Sequence, residues 1–404
     1  MLKNKHSKDG CIYESTPYLY KALYIKMHFL PFFEFNLSTI LFCIFAIVAL
    51  TQLFYTLFIY GRLSFFTGKK AQKSDNFPNV SILISARNES DNLYENLPLI
   101  LEQDYPNFEV IVINHQSVDD SYHILNAYAH QYKNLKIIEI ERSQHLKPGK
   151  KLPLTLGVKG AKYEHLFFTD ADCRPASNQW LKSMAQYFTN GKEIVLGYAP
   201  YTTKPGYLNK LIRFDTTWIA MTYFSMALAK LPYMGVGRNL AYTRSLFDSV
   251  NGFKSHYSIT SGDDDLFIQE TVTKQNFAIN LDPTSFCFSE GSTNWENWYM
   301  QKTRHFTTSG RYDVFKKAML GIYPLTMLIL LISFVILLFD ESFRLVTLSG
   351  FGFVVLLKWW IQARCFKKLK EPSFIALLPL YDIGYAIFLP ILYYTTDKKE
   401  IRKW

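Results

Sequence analysis

The sequence predicts an α/β domain with a mostly parallel sheet, held between apolar helices long enough to cross a membrane. Three observations carry that prediction. Short apolar runs alternate with helix-length amphipathic stretches between residues 78 and 170. Uncharged apolar blocks lie on both sides of that region, before residue 60 and after residue 318. The strand-like run at 165–169 ends in two carboxylates one residue apart, Asp170 and Asp172.

Residues 1–35 are a mixed extension bearing Lys3, Lys5, Lys8, Lys21 and Lys26, with no signal-peptide cleavage pattern. Met27 is a second candidate start, so translation from Met1 or Met27 stays open. Residues 36–60 read as a first spanning helix, rich in Leu, Ile and Phe. Val80–Ala86 is a strand, followed by Arg87-Asn88-Glu89-Ser90 and a helix to about residue 103. Residues 108–114 and Leu135–Ile140 are further strands, with a helix over 119–132 between them. A helix over 150–162 then leads into the strand at 165–169. Strands alternating with helices argue for a parallel sheet covered on both faces. The soluble domain is expected over 78–294, with an amphipathic interface helix over 295–318.

Residues 319–394 are expected to hold two or three membrane helices, followed by a basic tail at 395–404. The acidic turn Asp340-Glu341 separates blocks at 319–339 and 345–361, and Arg364, Lys367, Lys368 and Lys370 follow. The excess of basic residues marks the cytoplasmic side, which places residues 60–318 in the cytoplasm. The block at 374–394 is broken by Pro379, Asp382 and Pro390, and either spans or lies in the interface. Asp382 reads as a functional intramembrane carboxylate or as one on a water-facing surface.

Of the 404 residues, 49% are hydrophobic and 17% aromatic, and 44 basic against 34 acidic residues leave a net charge of +10. The apolar blocks assign that excess to a membrane surface rather than to nucleic acid. Five scattered cysteines without CxxC spacing form neither a disulfide framework nor a zinc site.

Alternate residues of a strand share a face, so Asp170 and Asp172 converge at the carboxyl end of theirs, where ligands collect in open α/β sheets. Two converging carboxylates suit a hard cation such as Mg²⁺ or Mn²⁺, which fills its shell from a substrate's phosphates. A polar turn ending a buried strand is the plainer explanation, and DxD alone is too common to decide. Other polar groups fall at the neighbouring strand ends. These include Arg87 and Glu89 after the first strand, beside the backbone of Ala86, and Asn114, His115, Ser117 and Asp119 after the second. Lys147, Lys150 and Lys151 precede the third helix, where ammonium groups and free N–H groups suit a diphosphate. Ser261-Gly262-Asp263-Asp264-Asp265 opens a later helix, as dipole-favoured acids or as the source of a general base. Trp295, Trp298, Gln301, Arg304 and His305 lie on the helix before the membrane block.

In this order the motifs resemble the membrane-bound family-2 glycosyltransferases, whose nucleotide-sugar domain has the GT-A fold. The group includes polysaccharide synthases and ceramide-glucosyltransferase-like enzymes. The resemblance covers about residues 78–310. Val80 to Glu89 looks like the opening nucleotide-binding strand, Gly149-Lys150-Lys151 the lysine segment, and Thr169-Asp170-Ala171-Asp172 the metal motif. Residues 235–242 and Asn251-Gly252-Phe253 resemble the stretch before the catalytic aspartate, and residues 262–266 stand at the base motif. Gln301-Lys302-Thr303-Arg304-His305 stands where the family has Gln-x-x-Arg-Trp, with His305 replacing the tryptophan. The usual aspartate pair of the second strand is Asn114-His115 here, which leaves the base open, with UDP the first choice. The base motif lacks its glutamate, so either Asp263 or Asp264 fills the role.

The resemblance implies an inverting transferase that moves a sugar from a nucleotide-sugar to a lipid or lipid-linked acceptor, in cell-envelope glycolipid or glycan synthesis. It implies Mg²⁺ or Mn²⁺ on Asp172 and Asp170. Nucleotide-sugar contacts are expected from Ala86, Arg87, Glu89, His115, Ser117, Lys150, Asp170, Gln301, Arg304 and His305. The expected location is a bacterial inner membrane with the catalytic domain cytoplasmic. A processive polysaccharide synthase is the competing enzyme, and an inactive nucleotide-sugar-binding membrane protein the competing class. Without an indole at 305, and with few helices for a channel, one or a few sugars per acceptor are expected.

Overall fold

The computed structural model describes residues 36–68, 77–143, 149–188 and 191–396. The extension 1–35, Lys147 and the basic tail from 397 onward lie outside the described residues.

Nine strands run in chain order: β1 (Val80–Ala86), β2 (Phe108–His115), β3 (Leu135–Ile140), β4 (His165–Asp170) and β5 (Cys173–Pro175), then β6 (Ile194–Leu196), β7 (Leu240–Thr243), β8 (Phe277–Ile279) and β9 (Cys287–Ser289). The main sheet has the order β3-β2-β1-β4-β7-β6-β8. Strands β3, β2, β1 and β4 are mutually parallel, as is the β6–β8 pair, while β7 runs antiparallel to β4 and β6. A separate antiparallel pair joins β5 to β9. Every residue of β1 is buried, as expected for a central strand covered on both faces.

The helices are α1 (Leu37–Ser64), α2 (Ser90–Leu101), α3 (Ser121–Gln131), α4 (Lys151–Gly160), α5 (Trp180–Ala185) and α6 (Tyr207–Leu228). They continue with α7 (Arg244–Ser249), α8 (Asp265–Thr271), α9 (Trp295–Ser309), α10 (Val314–Leu337), α11 (Arg344–Lys368) and α12 (Pro372–Thr395). Of these, α1, α10, α11 and α12 are long and apolar enough to cross a membrane.

Side chains alternate across the sheet, so the two faces feed two different cores. Ile82, Ile84, Val110, Val112 and Phe167 pack with Leu93, Leu97 and Trp180 under α2 and α5. On the opposite face Leu83, Ile113 and Phe168 belong to a core that continues through Trp218 and Phe224 of α6 to Tyr323, Phe366 and Tyr385 of the apolar helices. Helix α6 therefore ties the sheet to the bundle. It escapes a reading by sequence pattern, because its mixture of apolar and polar residues has neither strand alternation nor a clean amphipathic stripe.

Two details differ from expectation. The interface helix stops at Ser309, and Asp313 accepts the N–H groups of Phe315 (3.0 Å) and Lys316 (3.4 Å), starting the next helix at Val314 rather than 319. Asp382 is not water-facing. It is 3% exposed and ion-paired to Lys358 at 2.7 Å, and it accepts hydrogen bonds from Tyr323 (2.8 Å) and Gln362 (3.4 Å).

Candidate active site

The register of the parallel strands sets one row of residues at their carboxyl ends. Ala86 pairs with Asn114, and Ser85 with Asp170. The loops after β1 and β2 are laced together. Ser117 Oγ accepts the Asn88 N–H (2.9 Å), Asn88 Oδ1 accepts that of Val118 (2.8 Å), and Asp119 accepts those of Ser90 (2.9 Å) and Ser121 (3.1 Å). Asp119 thus caps two helices at once, an arrangement that holds the floor of the crevice.

Ser117 also donates to Asn114 Oδ1 (2.5 Å), so its hydroxyl is engaged within this lacing. The His115 ring is fully buried (0% exposed), and burial, with the Arg87 guanidinium nearby, lowers its pKa. The sequence places His115 against the nucleotide; in the structure its ring is buried and does not line the cavity described below. Glu89 accepts from Asn92 (2.6 Å), and burial, together with the Asp172 and Asp170 charges, raises its pKa.

Lys150 and Lys151 are neighbours with opposite fates. Lys150 Nζ meets Asp170 Oδ1 at 2.5 Å. Burial opposes both charges, but each holds the other ionised: Asp170 and Asp263 raise the Lys150 pKa, and Lys150, Arg238 and Arg304 lower that of Asp170. Lys151 turns inward and donates to the carbonyls of His256 (2.6 Å), Ile259 (2.9 Å) and Ser261 (2.8 Å). Burial pulls its pKa down to about 8. It clamps the loop that delivers the acidic triplet. Gly149 makes the close approach possible: its φ is +137°, and a Cβ there would meet the Thr260 carbonyl oxygen at 3.1 Å.

The three carboxylates of that triplet occupy different environments. Asp265 is buried, accepts from Thr308 (2.5 Å) and Tyr312 (2.7 Å), and fixes α8 to α9. Asp264 accepts the N–H of Gly237 (2.9 Å) on one oxygen and that of Asp265 (2.7 Å) on the other. Burial and its two acidic neighbours push its pKa up to about 7. Asp263 lines the cavity described next and lies within the electrostatic reach of Lys150.

Lys150, Asp170, Asp263, Asp264, Arg304 and His305 line a single cavity of about 410 Å³. Gln301 joins them and donates to Tyr201 Oη (3.1 Å). Ala86, Arg87, Glu89, His115, Ser117 and Asp172 are not on its wall. Its far end lies among apolar helices, at Tyr55 and Ile59 of α1, Met319 and Leu320 of α10, and Leu389 of α12. His305 opens onto it, and burial with the Arg304 and Lys302 charges holds the imidazole well below its ordinary pKa.

Two groups that sequence reasoning left unnamed belong to this wall. Arg238 lies 4.1 Å above the Tyr201 ring, within electrostatic range of Asp172 and Asp170, and its Nη1 has no hydrogen-bond partner among the described residues. The signal was a lone cation in the apolar run 231–242. Asp215 of α6 is ion-paired with Lys302 of α9 and accepts from Tyr385 of α12 (2.6 Å). An acid inside a buried helix was its sequence signature.

Asp172 is held by Ser289, which donates to it at 2.6 Å. Among the described residues no group of three or more His, Cys, Asp or Glu is arranged to hold a metal. The pair Asp170/Asp172 fits a hard divalent ion that takes most of its ligands from phosphate and water.

Residues 81–250 match the family model Glycosyl transferase family 2. The chain is 24% identical over 254 residues to a probable glycosyltransferase, YdaM, of Bacillus subtilis, covering 59% of this chain and 57% of that protein. It is 28% identical over 195 residues to the glycosyltransferase AglE of Haloferax volcanii, covering 46% and 59% respectively. The chain thus spans less than two thirds of the length of these relatives. Among solved structures, a mannosyltransferase of Pyrobaculum calidifontis in complex with GDP-Man and Mn²⁺ superposes with a TM-score of 0.51 at 17% identity. That match covers 86% of this chain and 99% of the other, and it agrees with the sheet order in assigning a GT-A-like fold. Residues 81–250 thus match a family-2 glycosyltransferase domain, in a chain that also has four helices long and apolar enough to cross a membrane.

Proposed function

We propose that this enzyme transfers a sugar from a nucleotide-sugar to a lipid or lipid-linked acceptor, with inversion, as a step in building cell-envelope glycolipid or glycan. The observation that carries the proposal is the continuous cavity from the Lys150–Asp170 pair to the apolar helices. A soluble acceptor needs no such extension. An amphipathic one does, with its head at the carboxylates and its chain along Ile59, Met319 and Leu389.

In this reading the donor diphosphate lies at the strand ends near Asp170, between Lys150, Arg238 and Arg304. Asp172 and Asp170 would hold Mg²⁺ or Mn²⁺, which when bound offsets charge on the leaving diphosphate. Arg238 adds a fixed cation whose unpartnered Nη1 is free to donate to a phosphate oxygen. Asp263 is the base, because both oxygens of Asp264 already accept backbone N–H groups and Asp265 is tied to α9. It takes the proton of the acceptor hydroxyl as that oxygen attacks the anomeric carbon. The domain faces the cytoplasm of a bacterial inner membrane in this reading, where nucleotide-sugars are made and the basic 364–370 segment favours that side. UDP-sugars are the first donors to try, with GDP-mannose as the comparison that the mannosyltransferase suggests.

The test is to incubate the purified chain in lipid vesicles with a panel of nucleotide-sugars and either Mg²⁺ or Mn²⁺, and to analyse extracted lipids by mass spectrometry. A new glycolipid with release of nucleoside diphosphate is the expected result. Donor turnover with only free sugar or long water-soluble polymer as product would overturn it.

A further inference from the structure

The charge layout of the cavity narrows the acceptor, given that the proposed transfer to lipid is right. Among the described residues its cations are Lys150, Arg238, Lys302 and Arg304. Lys150 is spent on Asp170, and Arg238 and Arg304 lie within electrostatic range of that same pair, on the donor side. The remaining cation, Lys302, faces the helix bundle. It is already neutralised by Asp215, whose other oxygen accepts from Tyr385. Lys302 and Asp215 are both buried at 5% exposure and both line the cavity, as does Tyr385. Among the described residues the acceptor side therefore offers no uncompensated cation, and it carries the acidic run Asp263-Asp264-Asp265.

We infer that the acceptor is an uncharged lipid alcohol, and that Asp215, Lys302 and Tyr385 form the polar seat for its head group. A lipid phosphate would have to enter beside Asp263 and the donor diphosphate with nothing positive left to receive it, so like charges would repel it. It would also have no use for a base, since a phosphate oxygen is already ionised. A hydroxyl does need one. Its O–H proton passes to Asp263, its oxygen forms the new bond to the anomeric carbon, and the old bond to the diphosphate oxygen breaks with its electron pair leaving on the nucleoside diphosphate. The neutral cluster of carboxylate, ammonium and phenol presents both donors and acceptors to the remaining hydroxyls of such a head.

The experiment uses the full chain in phosphatidylcholine vesicles doped separately with diacylglycerol, monoglucosyl diacylglycerol, ceramide or undecaprenyl phosphate. Each is given the nucleotide-sugars UDP-glucose, UDP-N-acetylglucosamine and GDP-mannose, radiolabelled in the sugar. Label in one or more of the three uncharged lipids, at least tenfold above that in undecaprenyl phosphate, is the expected result. Label in undecaprenyl phosphate at a comparable or higher level overturns the inference while leaving lipid glycosylation standing. Label in no lipid overturns the transfer reading and this inference with it. The seat is tested by the double variant Asp215→Leu/Lys302→Met, which removes both buried charges together, and by Tyr385→Phe. Both should raise the acceptor KM, the double by about tenfold or more, with donor KM unchanged. An unchanged acceptor KM in a folded variant, or equal losses toward donor and acceptor, would remove the cluster from acceptor binding.

Discussion

Two lysine–aspartate ion pairs of this protein look alike on paper and differ in what surrounds them. Lys358–Asp382 joins α11 to α12, with side chains 3% and 4% exposed. Its polar atoms are closed off: Lys358 also donates to Gln52 (2.8 Å), Gln52 donates to the Tyr323 carbonyl (2.9 Å) and Thr326 (2.8 Å), and Tyr323 and Gln362 donate to Asp382. Lys150–Asp170 has both side chains 25% exposed, opens onto a cavity, and has Arg238, Arg304 and Asp263 facing it without closing a network. A satisfied network in an apolar surround fixes helix positions; charges arranged around an open cavity are there to meet something. The difference fits a structural role for one pair and, in the proposed reading, a chemical one for the other. It also shows what Asp382, the more conspicuous residue in the sequence, is bonded to: a closed set of partners within the helices.

The largest effect should come from the cavity side. Asp263→Asn removes the proposed base and should lower turnover about 10²- to 10⁴-fold while nucleotide-sugar binding and thermal stability stay near wild type. Isothermal titration with donor, beside product formation, reads both. Near-normal turnover would return the role to Asp264 or to neither. Asp172→Asn comes next. Loss of one charge at constant volume should leave folding intact and cut turnover by about 10²-fold or more at limiting Mn²⁺ or Mg²⁺. Equal activity of variant and wild type across a metal titration with a chelator control would remove the metal role.

The bundle pair should respond in the opposite way. Asp382→Asn leaves Lys358 buried without its counter-charge and should cost about 3–5 kcal/mol of stability. Asp382→Leu/Lys358→Met removes both charges and should recover most of it, with turnover per folded molecule unchanged. Thermal unfolding in detergent compares the three proteins. If the double variant is as unstable as the single, the network matters for more than charge balance.

How much of this was legible in the sequence depends on the range of the interactions. The parallel strands, the carboxylates at the end of β4 and the apolar helices α1, α10 and α11 are local patterns that alternation and run length reveal, while the block at 374–394, broken by two prolines and an acid, stays open. The role of Lys151 was not legible: next to Lys150 it reads as a second phosphate ligand, yet it bonds carbonyls more than a hundred residues away. Asp215, Lys302 and Tyr385 are likewise three separate residues until α6, α9 and α12 bring them together. The preference for Asp263 over Asp264 rests on which one the Gly237 N–H meets, and the run of three adjacent acids carries no information on that contact.

The smallest effect, and the sharpest probe of the boundary between the two kinds of site, belongs to Asp264. It is held like a structural residue, by two backbone N–H groups, yet it sits among cavity charges and its pKa is pushed up to about 7 by burial and by Asp263 and Asp265. An unfolded aspartate titrates near 3.9, roughly, so between about pH 4 and 7 the folded protein binds the extra proton. Stability therefore falls as pH rises through that window and is flat with respect to this group above and below it. The full span is at most about 4 kcal/mol, since each tenfold gain in proton affinity on folding is worth about 1.4 kcal/mol. Asp264→Asn cannot ionise, so its unfolding temperature should hold steadier than that of wild type from pH 5 to 7, by several degrees. It gives up one accepted N–H bond, an offset of about 1 kcal/mol at all pH values. Turnover should survive, lowered only several-fold. A wild-type pH–rate profile with a limb near 7 that vanishes in Asp264→Asn, along with the activity, would make Asp264 the base and move the boundary between structure and chemistry by one residue.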